Sequence, residues 1–76
     1  MNTKDIKETI RGLQFRIKNL MVVMNSRMEI MNLKKFEVDR GAFYGKRIAE
    51  NALKIAELCE RIENLQSQLT TMEIQR

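Results

Sequence analysis

Phe36-Glu37-Val38-Asp39-Arg40-Gly41 is the stretch on which the fold turns, because apolar and charged residues mix there without the 3.6-residue period that holds on either side. Upstream, apolar residues fall at Ile6, Ile10, Leu13, Ile17, Leu20 and Met24, a 4-3-4-3-4 spacing that keeps one stripe on one side of a helix. Downstream, Ile48, Ala52, Ile55, Leu58/Cys59, Ile62, Leu65, Leu69 and Met72 repeat the pattern, with Glu50-Lys54 and Glu57-Arg61 in the favourable order for i,i+4 ion pairs. Two helices of roughly 30 residues, each about 45 Å long at 1.5 Å per residue, must fold back antiparallel across a short connection.

The expected fold is therefore all-α: an antiparallel two-helix hairpin forming one domain over residues 1–76. The first helix is expected over about 3–35, the turn over about 36–39 and the second helix over about 40–74. Asn2 or Thr3 serves as the first N-cap, with Asp5 and Glu8 near the first turn where the helix dipole favours negative charge. Taking Asp39 as the second N-cap places Val38 and Phe43 where a hydrophobic staple packs. Past Met24 the stripe runs to Met28 and Met31, one residue out of heptad step, as a stutter does. Ser26-Arg27-Met28-Glu29 also fits a capping box, so a break at Asn25/Ser26 is a second reading beside the unbroken helix.

Composition narrows the class. The 76 residues include 14 Lys+Arg against 10 Asp+Glu and are 43% hydrophobic and 32% charged, too apolar for a disordered tail and too charged for a membrane protein. The longest uncharged runs, Asn19 to Ser26 and Asn64 to Met72, fall far below the ~18 residues of a spanning helix. The charged N-terminus lacks an export signal, so a cytoplasmic protein is expected, the host cytoplasm included if a phage encodes it. The chain has no His, the commonest general base and metal ligand, and the single Cys59 cannot form an internal disulfide.

A chain this short without disulfide or metal usually completes its core by oligomerising. The apolar residues call for the same thing. Phe15, Val22, Val23, Ile30 and Leu33 lie outside the main stripe, and Leu20-Met21-Val22-Val23-Met24 is apolar nearly all round, the pattern of a helix buried on several sides. On the second helix Ala42, Gly45, Ala49, Ala52, Ala56 and Cys59 step 3-4-3-4-3 as a column of small residues, which should approach its partner helix closely. A homo-oligomeric helical bundle, such as a dimeric four-helix bundle, would cover these faces. Its expected interface holds Leu20, Val22, Val23, Met24, Met28, Met31, Ala49, Ala52, Ala56 and Ile62, with Val22, Met24 and Ile62 buried between chains.

Charge is uneven. Residues 4–18 hold Lys4, Lys7, Arg11, Arg16 and Lys18 against Asp5 and Glu8, while Glu50, Glu57, Glu60, Glu63 and Glu73 dominate the second helix. With the turn near residue 37 or 38, facing residue numbers total about 75, which pairs Lys18 with Glu57, Arg16 with Glu60 and Arg11 with Glu63. The turn end is left basic.

Lys34, Lys35, Arg40, Tyr44, Lys46 and Arg47, beside Phe36 and Phe43, form the candidate site for an anionic ligand, RNA or a nucleotide. The bland alternative is a solvated surface with both Phe rings capping the core, and a net charge of +4 is modest for a nucleic-acid binder. Met21, Met24, Met28 and Met31 make a thioether ridge, read as gap-filling core rather than a Cu(I) site. Cys59 reads as a compact hydrophobe and Glu57, Glu60 and Glu63 as surface ion-pair partners, since di-metal bundles need Glu-x-x-His.

No Ser, Cys or Thr has a base beside it and no Gly-rich phosphate loop exists, so no catalytic residue, cofactor or metal is expected. The length and architecture resemble those of helical-hairpin dimers that bind RNA, a likeness of fold alone. The expected function is non-enzymatic: a homo-oligomeric binding or assembly protein acting as adaptor, inhibitor or assembly factor. Its expected partners are itself and another protein, with no membrane and no metal, and the anionic-ligand binder stands as the alternative.

Overall fold

The computed structural model describes residues 2–33 and 38–74, with every side chain in those ranges except those of Val38 and Asp39. It consists of α1, Thr3–Leu33, and α2, Val38–Ile74, packed against each other along their length. Asn2 caps α1: its Oδ1 accepts from the Asp5 backbone N–H at 2.8 Å, which satisfies one of the otherwise orphaned donors of the first turn.

The helix then runs unbroken through Asn25 and Ser26. Ser26 does not cap a second segment. Its hydroxyl donates to the Val22 carbonyl at 3.1 Å, one turn back, and is thereby absorbed into the helix. The second helix starts earlier than a cap at Asp39 would allow, with Val38 already helical, so Asp39 lies inside the first turn. The expected Val38–Phe43 staple involves a side chain outside those described, as do the expected end of the first helix at residue 35 and the core-capping role of Phe36.

The core is built from Ile6, Ile10 and Leu13 on α1 and Leu58, Ile62 and Leu65 on α2, with Ile17, Leu20, Leu69 and Met72 packed against it. All lie toward the open end of the hairpin, so burial is concentrated away from the connection. The molecule is a rod, with Cα extents of 59 × 14 × 14 Å. Its radius of gyration is 17.2 Å, where a compact chain of this length would have about 11 Å. A rod two helices thick has little interior, and each helix can turn only one stripe toward the other.

Two polar residues set the register. Asn51 is buried at 7% exposure, and its Oδ1 accepts a hydrogen bond from the half-buried Arg27 guanidinium across the seam. These residue numbers total 78 rather than 75. The stripe on α1 is thus Leu20, Met24, Arg27, Met31 in unbroken heptad step, and Met28 is exposed, so the stutter expected from the methionines is not made. On α2 it is Asn51 and not Ala52 that faces α1. The shift of about one turn also carries Lys18 past Glu57, Arg16 past Glu60 and Arg11 past Glu63, and among the described residues none of these pairs closes to within 4 Å; Arg47–Glu50 at 3.0 Å does.

The small-residue column lies off this seam. Only Gly45 turns toward α1, with the Met31 sulfur 3.9 Å from where a Cβ would stand, an ordinary contact distance. Ala42, Ala49, Ala52, Ala56 and Cys59 are exposed, so the close helix approach expected along the column is not made within the hairpin. Leu58, Ile62 and Leu65 occupy the α1-facing side instead.

Candidate functional site

Large apolar side chains left in solvent are the main chemical feature of the surface. On α1 these are Phe15 (63% exposed), Met21, Val22, Val23, Met28, Ile30 and Leu33 (80%). At 100° per residue, Phe15, Val22, Val23, Ile30 and Leu33 fall within an arc of about 100°, centred roughly 150° round from the core stripe. That arc is wide enough to be a second packing face. It carries Gly12, Asn19 and Ser26, all exposed, between the apolar residues, and Lys18 and Glu29 on its rim. On α2 the exposed large apolar residues are Phe43, Leu53 and Ile74.

The residues expected at an oligomer interface divide into two groups. Ile62 belongs to the hairpin's own core, and Leu20, Met24 and Met31 are half-buried along the same seam, so their cover comes from within the chain. Ile62 and Met24 therefore do not need a second copy to hide them. Val22, Val23, Met28, Ala49, Ala52 and Ala56 are exposed.

The expected basic site is brought together only in part. Lys34 and Lys35 lie outside the described residues. Arg40, Phe43, Tyr44 and Arg47 share a face by i, i+3, i+4, i+7 spacing, and Lys46 stands about 100° round from Arg47. Tyr44 is half-buried and meets Phe43 edge-on, with ring centroids 5.4 Å apart and planes at 80°. Arg47 lies with its guanidinium carbon 5.2 Å from the Phe43 ring centroid and donates to Glu50 Oε2 at 3.0 Å. One of the expected cations thus has its charge and its flat face already engaged by its own helix.

Arg27, one of the cations that the charge pattern leaves unpaired toward the turn, and Asn51, which the sequence does not single out, line an open groove with Arg47, Glu50, Leu53, Lys54 and Glu57. The groove mixes both signs of charge and so does not select an anion. Among the described residues no group of three or more Cys, Asp or Glu side chains converges to hold a metal ion, and no buried side-chain nitrogen or oxygen lacks a hydrogen-bond partner. Cys59 is exposed with its thiol free. Among the described residues no helix is long and apolar enough to cross a membrane.

Comparison with protein-family models, with curated proteins and with solved structures finds no match for the chain.

Proposed function

We propose that the protein is a non-enzymatic helical binding or assembly protein that works through protein–protein contacts and self-associates to do so. The observation that carries this reading is the second apolar stripe on α1, Phe15, Val22, Val23, Ile30 and Leu33, which the hairpin does not cover. Apolar surface gathered on one helical face is the usual mark of a macromolecular contact, whereas single scattered residues need no explanation. Among the described residues the grooves between and along the two helices are open to solvent, which favours a surface contact over enclosed chemistry. The reading as a binder of RNA or a nucleotide has weaker support, because Arg47 is turned to Glu50 and Phe43.

Sedimentation of the parent chain and affinity capture from native lysate at low and physiological salt test the proposal together. A mass above that of one chain is expected, with captured protein that survives the rise in salt and is lost with Val22→Asp. A stably folded monomer that recovers nucleic acid at low salt and releases it steeply as salt rises would instead establish phosphate-driven binding.

A further inference from the structure

We infer that the second stripe of α1 is a two-fold interface with the same stripe of a second copy, the two α1 helices running antiparallel about a point between Val22 and Val23. This deepens the proposed self-association by naming its face, its partner and its register. A two-fold contact must be self-complementary, so that residue i meeting j requires j to meet i. The stripe has that property. Pairing residues whose numbers total 45 brings Val22 and Val23, on the two edges of the stripe at its midpoint, each beside its own mate, and sets Phe15 against Ile30 and Leu33 against Gly12 of the other copy.

The last pair is a shape match as well. Leu33 is the most exposed large apolar side chain on α1, and nothing stands within 4 Å of where a Cβ on Gly12 would be. Asn19 meets Ser26 in the layer between, where two short polar side chains permit close approach and favour one register over its slips. Charge on one edge of the stripe agrees with the same pairing. Residues on the same edge of the stripe face each other across a two-fold, and Lys18 and Glu29 share an edge at heights differing by about 3 Å, given the 1.5 Å rise per residue. Each is exposed with no ion-pair partner within 4 Å among the described residues, and the symmetry makes two such pairs. On the other edge Arg16 and Arg27 stand in the same relation, and there the Arg27 guanidinium is drawn away to Asn51 in the hairpin seam.

The extent is sufficient. Gly12 to Leu33 spans about 33 Å of a helix about 10–12 Å in diameter. Two such faces with their charged rims cover on the order of 1,000 Å², the threshold for a specific contact. The contact lies nearly opposite the hairpin core, so it leaves α2 in place and gives the order α2, α1, α1, α2 across the dimer.

Cysteine crosslinking of the full chain in a Cys59→Ser background tests the register. Val22→Cys should crosslink to itself on oxidation. Phe15→Cys and Ile30→Cys should each fail alone and crosslink when the two chains are mixed. Sedimentation adds a second readout: Val22→Glu should weaken association roughly a hundredfold or more with helicity retained, since it sets like charges together on the two-fold. Lys18→Glu should weaken association about tenfold, and adding Glu29→Lys should restore it. An oligomer that shows none of these crosslinks would overturn this interface while leaving self-association standing. A parent chain that sediments as a folded monomer would overturn both.

Discussion

Asn51→Ala, set in a double-mutant cycle with Arg27→Ala, probes the polar Arg27–Asn51 layer of the seam. Asn51 is buried and holds a hydrogen bond from a charged group, an interaction worth about 1.5–3 kcal/mol. The lower end applies, because the groove at this point is open to water beside Glu50, Lys54 and Glu57 and the released guanidinium can be resolvated. Alanine recovers about 0.5 kcal/mol in helix propensity, which leaves a net loss near 1 kcal/mol. With a urea slope of about 1 kcal/mol/M for so small a chain, the midpoint should fall by about 1 M. Arg27→Ala should cost more, about 1.5–3 kcal/mol, because it strands a buried amide. The double variant should lose about 1 kcal/mol less than the two singles combined, read from urea transitions followed by circular dichroism at one fixed chain concentration. A coupling within about 0.5 kcal/mol of zero, the scatter of independent sites, would refute the layer.

Leu13→Ala should cost about 3 kcal/mol by the same assay, since Leu13 is 4% exposed in the main core cluster, whereas Leu53→Ala, at 62% exposure, should stay within about 0.5 kcal/mol of the parent. Ser26→Ala should raise thermal stability by about 0.5 kcal/mol, because the hydroxyl bonds back into a continuous helix; a loss of about 1 kcal/mol would reveal a cap and a break at this point. Hydrogen exchange of amides in residues 20–33 should quicken on dilution if the second stripe is covered by another copy, while amides of residues 6–13 respond less; no concentration dependence would count against that cover.

The existence of two long helices, the Asn2 cap and the stripe from Ile6 to Leu20 were legible because each rests on local chemistry or on a period that apolar residues display directly. The register was not. Tracing apolar residues alone led from Met24 to Met28 and invented a stutter, and it put Ala52 on the inner side where Asn51 stands. A long Arg stem can line an apolar seam while its head reaches a polar partner, so a heptad position need not be apolar to face the core. Once that layer was displaced, the ion pairs were displaced with it, because three residues are nearly one helical turn and carry every facing side chain to a new neighbour. The basic site was legible as composition but not as geometry. Nothing in the sequence distinguishes a cation available to a ligand from Arg47, which its own helix engages through Phe43 and Glu50.

Burial is distributed unevenly along the rod. Among the described residues every buried apolar side chain lies within 6–13 or 58–65, on the side of the open end. Of the ten exposed large apolar side chains among the described residues, eight lie between residues 20 and 55, toward the connection. The two halves are therefore unlike: one has spent its hydrophobic residues on its own core, and the other shows them to water around a polar Arg27–Asn51 layer. A polar layer in a seam lowers the driving force for a hairpin to close there by itself and raises the selectivity of the register at which it closes. Apolar residues displaced from such a seam gain most by being buried against something else, and in this chain they are gathered on the flank of α1 at a spacing that repeats about its own midpoint. The proposed two-fold contact would cover α1 over residues 15–33, the span in which the seam carries its polar layer at Arg27 and Asn51 and buries least of its apolar surface.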